Sequence, residues 1–265
     1  MTNANPRDEM SVTAGSSVRQ ELQDGEYWFP YHYVAQFRDR FRHFFLDTWA
    51  INYASTIEYL IARMAGETYP RIVDIGCGDG RFSRELALAF PQSSVTGVDY
   101  SRRAINLATA MNQDVGNLQF MSTDITKSQA AGLFDFAVLM EVFEHIPLDS
   151  AAGFISAVRE LLKPGGVLYL TVPHKNKPLE YKHFQHFTVD SITTYLEPHF
   201  DILEVTCFEK RSMGRSVLLR MLSNRLFILN DGRLLNFLYG WYKKHLFACH
   251  SERACQRIFV RATAK

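Results

Sequence analysis

The sequence predicts an α/β protein built on a doubly wound sheet. Three stretches predict it. The first is Arg71-Ile72-Val73-Asp74-Ile75-Gly76-Cys77-Gly78-Asp79-Gly80-Arg81, a short apolar run that breaks into three glycines spaced by two. Phe82, Leu86, Leu88 and Phe90 then fall loosely on one helical face. Strand, glycine turn and helix form the crossover that opens a nucleotide-binding sheet. The second is Val95-Thr96-Gly97-Val98-Asp99, which reads as a strand ending in an acid. The third is Phe134 to Met140, apolar almost throughout. A parallel strand buried on both faces reads that way.

The glycines allow positive φ and let a ligand lie directly on the main chain. The helix after them offers free N–H groups and the positive end of its dipole. The spacing is G-x-G-x-G, not the G-x-G-x-x-G that packs a helix against a dinucleotide pyrophosphate. Asp74, two residues before Gly76, would repel a pyrophosphate and suit an ammonium or a sulfonium. Asp99 stands where an acid hydrogen-bonds ribose hydroxyls.

Together these motifs resemble the class I S-adenosylmethionine-dependent methyltransferases, and the resemblance covers roughly Arg71 to Pro173. It implies a Rossmann-like seven-stranded mixed sheet with helices on both faces. It implies S-adenosylmethionine as cofactor, its methionine end held by Asp74 and the backbone of Gly76, Cys77, Gly78 and Gly80. Asp99 would hold the ribose, with Tyr100 near the adenosine. Asp124 and Ile125 would hold the adenine, although Asp124 alone could equally be a helix cap. Lys163-Pro164-Gly165-Gly166 and the following strand match the family's L-K-P-G-G signature. The glycine spacing, Asp74 and that turn argue against an NAD-dependent dehydrogenase.

The elements then follow in order. Residues 1–26 mix acids with Ser, Asn and Gly, lack a signal peptide's apolar core, and read as disordered. Residues 27–68 read as an N-terminal helical cap. Its aromatic run Tyr27-Trp28-Phe29-Pro30-Tyr31 docks on the domain. Two helices follow, carried by Val34, Phe37, Phe41, Phe44 and Phe45 and by Ile57, Leu60, Ile61 and Met64. The methyltransferase domain takes residues 69–265. Its strands are Arg71 to Ile75, Ser94 to Val98, Leu118 to Met121, Phe134 to Met140, Val167 to Val172, Phe200 to Phe208 and Gln256 to Ala262. Ser101 is the expected N-cap of a helix reaching Met111. Further helices run from about Ser150 to Leu162 and from Val189 to Leu196.

The family's last two strands form a hairpin, but residues 209–255 separate them here, too long for a turn. They read as a helical insert. From Glu209 to Lys265 stand twelve bases against three acids. Leu234, Leu235, Leu238, Trp241 and Tyr242 form an apolar face at helical spacing. Basic and aromatic together suggest an anionic acceptor or peripheral contact with a membrane; a solvated basic face is the plainer reading. His245, Cys249, His250 and Cys255 could be drawn as a zinc site, but their spacing fits no strong pattern.

Composition narrows the class further. Of 265 residues, 47% are apolar and 22% charged, enough for a sizeable core. A net charge of +1 gives no global argument for nucleic acid. Four scattered cysteines do not read as a disulfide framework and point to the cytoplasm. No apolar run is long enough to span a bilayer.

The chemistry is expected in Met140-Glu141-Val142-Phe143-Glu144-His145-Ile146-Pro147, at a strand's C-terminal end. Glu141, Glu144 and His145 stand in E-x-x-E-H spacing and can converge. Ubiquinone-type O-methyltransferases resemble this pattern. Small-RNA 2′-O-methyltransferases use it with a later histidine to hold magnesium, and His183 or His186 could supply that ligand. Three readings stay open. In one, Glu141, Glu144, His145 and His186 hold a cation such as Mg²⁺. In another, His145 or His186 is a base, Glu144 assists, and Glu141 belongs with the cofactor-binding set. In the third the cluster is structural. The expected activity is O-methylation of a small-molecule, quinone, lipid-linked or glycan acceptor. The alternatives are an RNA 2′-O-methyltransferase and a non-catalytic cofactor-binding module.

Overall fold

A computed structural model describes residues 18–25, 27, 30–36, 42–43, 49–127, 132–222, 226, 229, 231–249 and 251–265. The segment expected to be disordered is in part helical: residues 18–25 form helix α1. Residues 1–17 lie outside the described set. The helix expected through Val34 is instead a 3₁₀ turn, Tyr31–Val34, followed by a two-residue antiparallel pair, β1 (Ala35–Gln36) and β2 (Arg42–His43). Phe37, Phe41, Phe44 and Phe45 lie outside the described residues, as do Trp28 and Phe29. Helix α2 (Trp49–Met64) carries Ile57, Leu60 and Met64 into the core.

A seven-stranded sheet follows. Its strands are β3 (Arg71–Ile75), β4 (Ser94–Asp99), β5 (Leu118–Ser122), β6 (Phe134–Met140), β7 (Leu162–Pro173), β8 (Phe200–Lys210) and β9 (Cys255–Ala264). Their spatial order is β5-β4-β3-β6-β7-β9-β8. All pairings are parallel except those of β9, which is antiparallel to β7 and to β8. The order reverses beside β3, so the ends of β3 and β6 open a crevice there.

Helices α3 (Arg81–Ala89), α4 (Arg102–Met111), α5 (Ala151–Leu161) and α6 (Val189–Leu196) link the strands. Ser101 caps α4, its hydroxyl accepting from the Ala104 N–H at 3.1 Å. Alternation along β9 splits the core into two layers. Phe259 joins α2, α3 and the insert on one face; Ile258 and Val260 join α5 and α6 on the other. The Lys163-Pro164-Gly165-Gly166 turn lies within β7 rather than before it. Phe134 pairs with Leu162 and Phe136 with Val167, so four residues bulge out between, with Gly165 at φ 73°.

Between β8 and β9 stand α7 (Met213–Leu222), α8 (Gly232–Tyr242) and a π-helical turn, Lys243–Phe247. The expected apolar face of α8 divides. Leu235, Tyr239 and Tyr242 are buried, whereas Leu234 and Trp241 face outward. Tyr242 Oη donates to Asn52 of α2 at 2.6 Å, and Lys243 pairs with Glu58 of the same helix at 2.6 Å.

Candidate functional site

The three glycines turn the chain out of β3 with φ of 72°, 55° and 80° at Gly76, Gly78 and Gly80. They do different work. A Cβ on Gly76 would strike Val142, and one on Gly78 would lie 2.7 Å from the Tyr27 hydroxyl. Those two positions need glycine because the cavity wall closes against the main chain. Gly80 does not reach the cavity. A Cβ there would meet Phe120 and Ala108, so this glycine serves packing at the head of α3.

A cavity of about 1040 Å³ opens over these strand ends. That is the upper end of the range for one small-molecule site, roughly 300–1,000 Å³, and leaves room for two reactants side by side. Its first half holds Asp74, Gly76, Cys77, Gly78, Asp99, Tyr100, Asp124 and Ile125. Asp74 is buried, and Ser83 Oγ donates to it at 2.6 Å. Burial pushes its carboxyl up to about 7. Asp99 accepts from the Gly78 N–H at 3.0 Å and the Ser101 N–H at 2.8 Å, which fixes both oxygens; burial still raises its pKa. Asp124 accepts from the N–H and hydroxyl of Thr126 and pairs with Lys127, so it does cap a 3₁₀ turn while lining the cavity.

The second half is assembled at the end of β6. Glu141, at φ 58°, turns the chain there. A left-handed glutamate stores strain that its surroundings must hold. Arg257 of β9 holds it: Nε donates to Glu141 Oε2 at 2.7 Å. The same guanidinium pairs with the fully buried Glu209, itself at φ 59°, and Glu209 pairs in turn with Arg215 of α7. Glu141 is therefore held in an ion pair, not in a ligand set with the histidines.

Glu144, His145 and His183 each offer one ligand atom within 4.8 Å of the others. The loop after β7 brings His183 in, and the Phe184 N–H donates to the Glu144 carbonyl at 2.8 Å. The backbone decides the tautomers. His186 Nδ1 faces the Lys177 carbonyl at 3.0 Å, so it carries the proton and leaves Nε2 as an acceptor. His183 Nδ1 lies 2.7 Å from that Nε2 and donates to it. His145 Nδ1 donates to the Lys182 carbonyl at 3.3 Å. Both His145 and His183 are left with Nε2 lone pairs. Burial holds the His145 pKa down to about 4, aided by the Lys182 charge. Burial and the neighbouring His145 hold His183 down to about 3. Burial of Glu144, with Glu141 beside it, pushes its carboxyl well above the usual carboxylate range.

Expectation and structure part at His186, which does not line the cavity and stands behind His183. The zinc reading of the insert does not assemble among the described residues. Cys249 and Cys255 donate to the Ser251 and Glu252 carbonyls, His245 lies against Trp241, and His250 is outside the described set. Sequence reasoning missed Arg257, Glu209 and the α1 residues Gln20 and Gln23, which also line or brace the cavity. Glu209 and Arg257 sit in short polar runs, Glu209-Lys210-Arg211 and Gln256-Arg257, and Gln20 and Gln23 in a polar segment, so none stands out by pattern.

Comparison with known proteins fits this geometry. Residues 49–202 match the model of a methyltransferase domain family. The chain belongs to that family. A ubiquinone biosynthesis O-methyltransferase from Ralstonia nicotianae is 32% identical over 118 residues, 43% of this chain and 47% of the relative. A trans-aconitate 2-methyltransferase from Deinococcus radiodurans is 37% identical over 105 residues, 40% of this chain and 38% of the relative. The chain thus spans about half or less of the length of these curated relatives. Among solved structures, the N-methyltransferase NodS from Bradyrhizobium japonicum, in complex with S-adenosyl-L-homocysteine, superposes with a TM-score of 0.57 at 17% identity. It covers 82% of this chain and 88% of NodS. At that identity the likeness is one of fold.

Proposed function

We propose that the protein transfers a methyl group from S-adenosylmethionine to a hydroxyl of a small acceptor. Supporting the cofactor are the bare main chain of Gly76 and Gly78 at the cavity wall and the acids Asp74, Asp99 and Asp124 along one half of the cavity. When bound, S-adenosylmethionine supplies an activated methyl to an in-line nucleophile. Asp74 would face the methionine end, Asp99 the ribose hydroxyls, and Asp124 with Ile125 the adenine.

The observation that carries the hydroxyl acceptor is His145. It is neutral at physiological pH, its Nδ1 is tied to a backbone carbonyl, and its Nε2 is free at the cavity wall. A base must be neutral and within hydrogen-bond reach of the proton it takes. His145 Nε2 accepts the acceptor's hydroxyl proton as its oxygen attacks. Glu144 stands beside it with an Oε2 that has no partner among the described residues, a polar atom available to the acceptor. The cavity would hold the two reactants in line.

The convergence of Glu144, His145 and His183 favours a second reading. Two imidazoles and a carboxylate would suit a borderline cation, such as Mn²⁺ or Zn²⁺, better than Mg²⁺. It would supply Lewis-acid stabilisation of the acceptor oxygen. The deciding experiment is calorimetry with S-adenosylmethionine, followed by turnover on phenol, quinol, hydroxyacid and RNA fractions with and without a chelator. Absence of cofactor binding would overturn the proposal. Loss of turnover with chelator, restored by Mn²⁺, would select the second reading.

A further inference from the structure

We propose that the outer face of the α7–α8 insert docks on an anionic lipid bilayer. The buried sides of both helices are accounted for: Leu218, Leu222, Leu235, Tyr239 and Tyr242 pack into the core. Their outer sides carry large apolar side chains as well as bases. Met213 is 84% exposed and Val217 54% on α7; Leu234, Phe237 and Trp241 are 41%, 67% and 37% exposed on α8. Met213 and Val217 are one helical turn apart, and Leu234, Phe237 and Trp241 follow the same rule. The two stripes adjoin, because a Cβ on Gly214 of α7 would lie 3.9 Å from the Trp241 ring. Large side chains clustered this way on a surface mark an interaction site.

Charge chooses the partner. Arg220 stands three residues from Val217, Arg233 four from Phe237, and Lys244 three from Trp241, so each apolar stripe has a base within one turn. All three are exposed and form no ion pair with a described residue. Lys210, Arg211 and Arg253 add further exposed charge where the insert joins the sheet. Only two acids lie between Lys210 and Ala254, and both are engaged. Asp231 caps α8 by accepting from the Leu234 N–H at 2.8 Å. Glu252 accepts from the Val189 N–H at 2.8 Å and faces His174. Protruding Met, Phe and Trp side chains inside a basic rim match what an amphipathic surface presents to anionic headgroups and acyl chains. The insert also lies one helix from the cavity. α2 contacts α8 through Asn52 and the π-helical turn after it through Glu58, and lines the cavity through Tyr53 and Thr56. Docking there would set that wall near the lipid surface.

The test is co-sedimentation of the full chain with phosphatidylcholine vesicles and with vesicles containing roughly one-third phosphatidylglycerol. The protein should pellet with the anionic vesicles about tenfold more than with the neutral ones, and roughly 0.5 M salt should release it. Phe237→Glu with Trp241→Glu should reduce binding at least about tenfold while leaving S-adenosylmethionine affinity and the melting temperature unchanged. If that variant fails to fold, Phe237→Ser with Trp241→Ser serves the same purpose. Arg220→Glu, Arg233→Glu and Lys244→Glu together should abolish the preference for anionic lipid. The proposal is overturned if the wild type stays in solution with anionic vesicles, or if the aromatic variants pellet like the wild type. It is also overturned if sedimentation velocity shows a dimer that these variants abolish while vesicles capture nothing. The face would then belong to a second copy of the chain. None of these outcomes depends on the methyl-transfer reading.

Discussion

The two halves of the cavity are held by different kinds of contact. In the half that holds Asp74, Asp99 and Asp124, each acid is fixed by neighbours from the glycine turn or the helix beside it. Asp74 has Ser83, Asp99 has Gly78 and Ser101, and Asp124 has Thr126. The half that holds Glu141, Glu144 and His145 is braced from far along the chain. Lys177, Lys182, His183 and His186 arrive on the loop after β7, Arg257 on β9, and Glu209 from the end of β8. Short-range fixing produces a rigid binding surface that the sequence motif carries with it. Long-range fixing makes the reacting half depend on the rest of the fold, where the insert and the last hairpin can retune it.

The largest expected effect separates the halves outright. His145→Ala should lower turnover by roughly two to four orders of magnitude and leave S-adenosylmethionine affinity unchanged. The pH profile sharpens this. A base with a pKa near 4 is neutral above that value and charged below it. The rate at saturating S-adenosylmethionine, where titration of Asp74 no longer limits binding, should therefore hold level from pH 7 down to about 5, where an unperturbed histidine of pKa about 6.5 would already have lost most of it. A rate that falls tenfold between pH 7 and 5 would remove His145 as the base.

The next effect concerns stability. Glu209 joins Arg257, and through it Glu141, to Arg215 of the insert. Replacing it by Gln leaves two buried or half-buried guanidinium groups short of a counter-charge. Breaking a buried pair in this way costs about 3–5 kcal/mol, and half-buried Arg215 moves the figure toward the lower end. Urea unfolding measures it. If the midpoint shifts only as a surface substitution would shift it, the chain of ion pairs is not what braces Glu141.

Asp99→Ala tests the other half. It should weaken S-adenosylmethionine binding by roughly 1–3 kcal/mol, because two ribose hydroxyls lose their acceptor. It should leave the rate at saturating cofactor nearly intact. Calorimetry with unchanged affinity would take Asp99 out of the site. A matching loss in the saturated rate would mean that the halves are not separable.

These contrasts also explain what the sequence disclosed. β3, β6 and α6 fall on the residues their patterns predict, and Ser101 caps α4 as its position suggests. Each rests on period or capping within a dozen residues. Asp74 and Asp99 are legible from their spacing to the glycines and Asp124 only through the family resemblance; the fold brings all three to the cavity. Gly80 reads as ligand-facing because one spacing rule covers both a ligand-facing glycine and a packing glycine; its contacts with Ala108 and Phe120, far along the chain, tell them apart. The 34–45 segment has aromatic residues at helical spacing, yet β1 and β2 pair there, where local pattern and tertiary pairing disagree. Arg257 and Glu209 gave no signal, because an ion pair 48 residues apart leaves no period in the sequence. His183 and His186, three residues apart, could not be ranked without knowing which ring the Lys177 carbonyl meets.

That ranking yields the smallest effect. His186 acts through His183: its Nδ1–H is spent on Lys177, and its Nε2 receives the His183 Nδ1 proton. Removing the ring as His186→Ala lets His183 exchange tautomers and lose its fixed orientation, while His145, held separately by Lys182, keeps its place. Turnover should drop only about tenfold, through kcat rather than KM, because a positioning residue has been lost rather than a reacting one. His186→Gln should recover part of the loss if its amide oxygen accepts from His183. The two readings of the site then diverge. If His145 works alone as a base, the variant's rate is indifferent to added Mn²⁺. If a cation sits on Glu144, His145 and His183, the loss of His183 orientation weakens its binding by roughly 10–100-fold, and excess Mn²⁺ restores the rate. A variant as damaged as His145→Ala, with no recovery from either Gln or Mn²⁺, would return His186 to the reacting group and overturn the order of the two histidines.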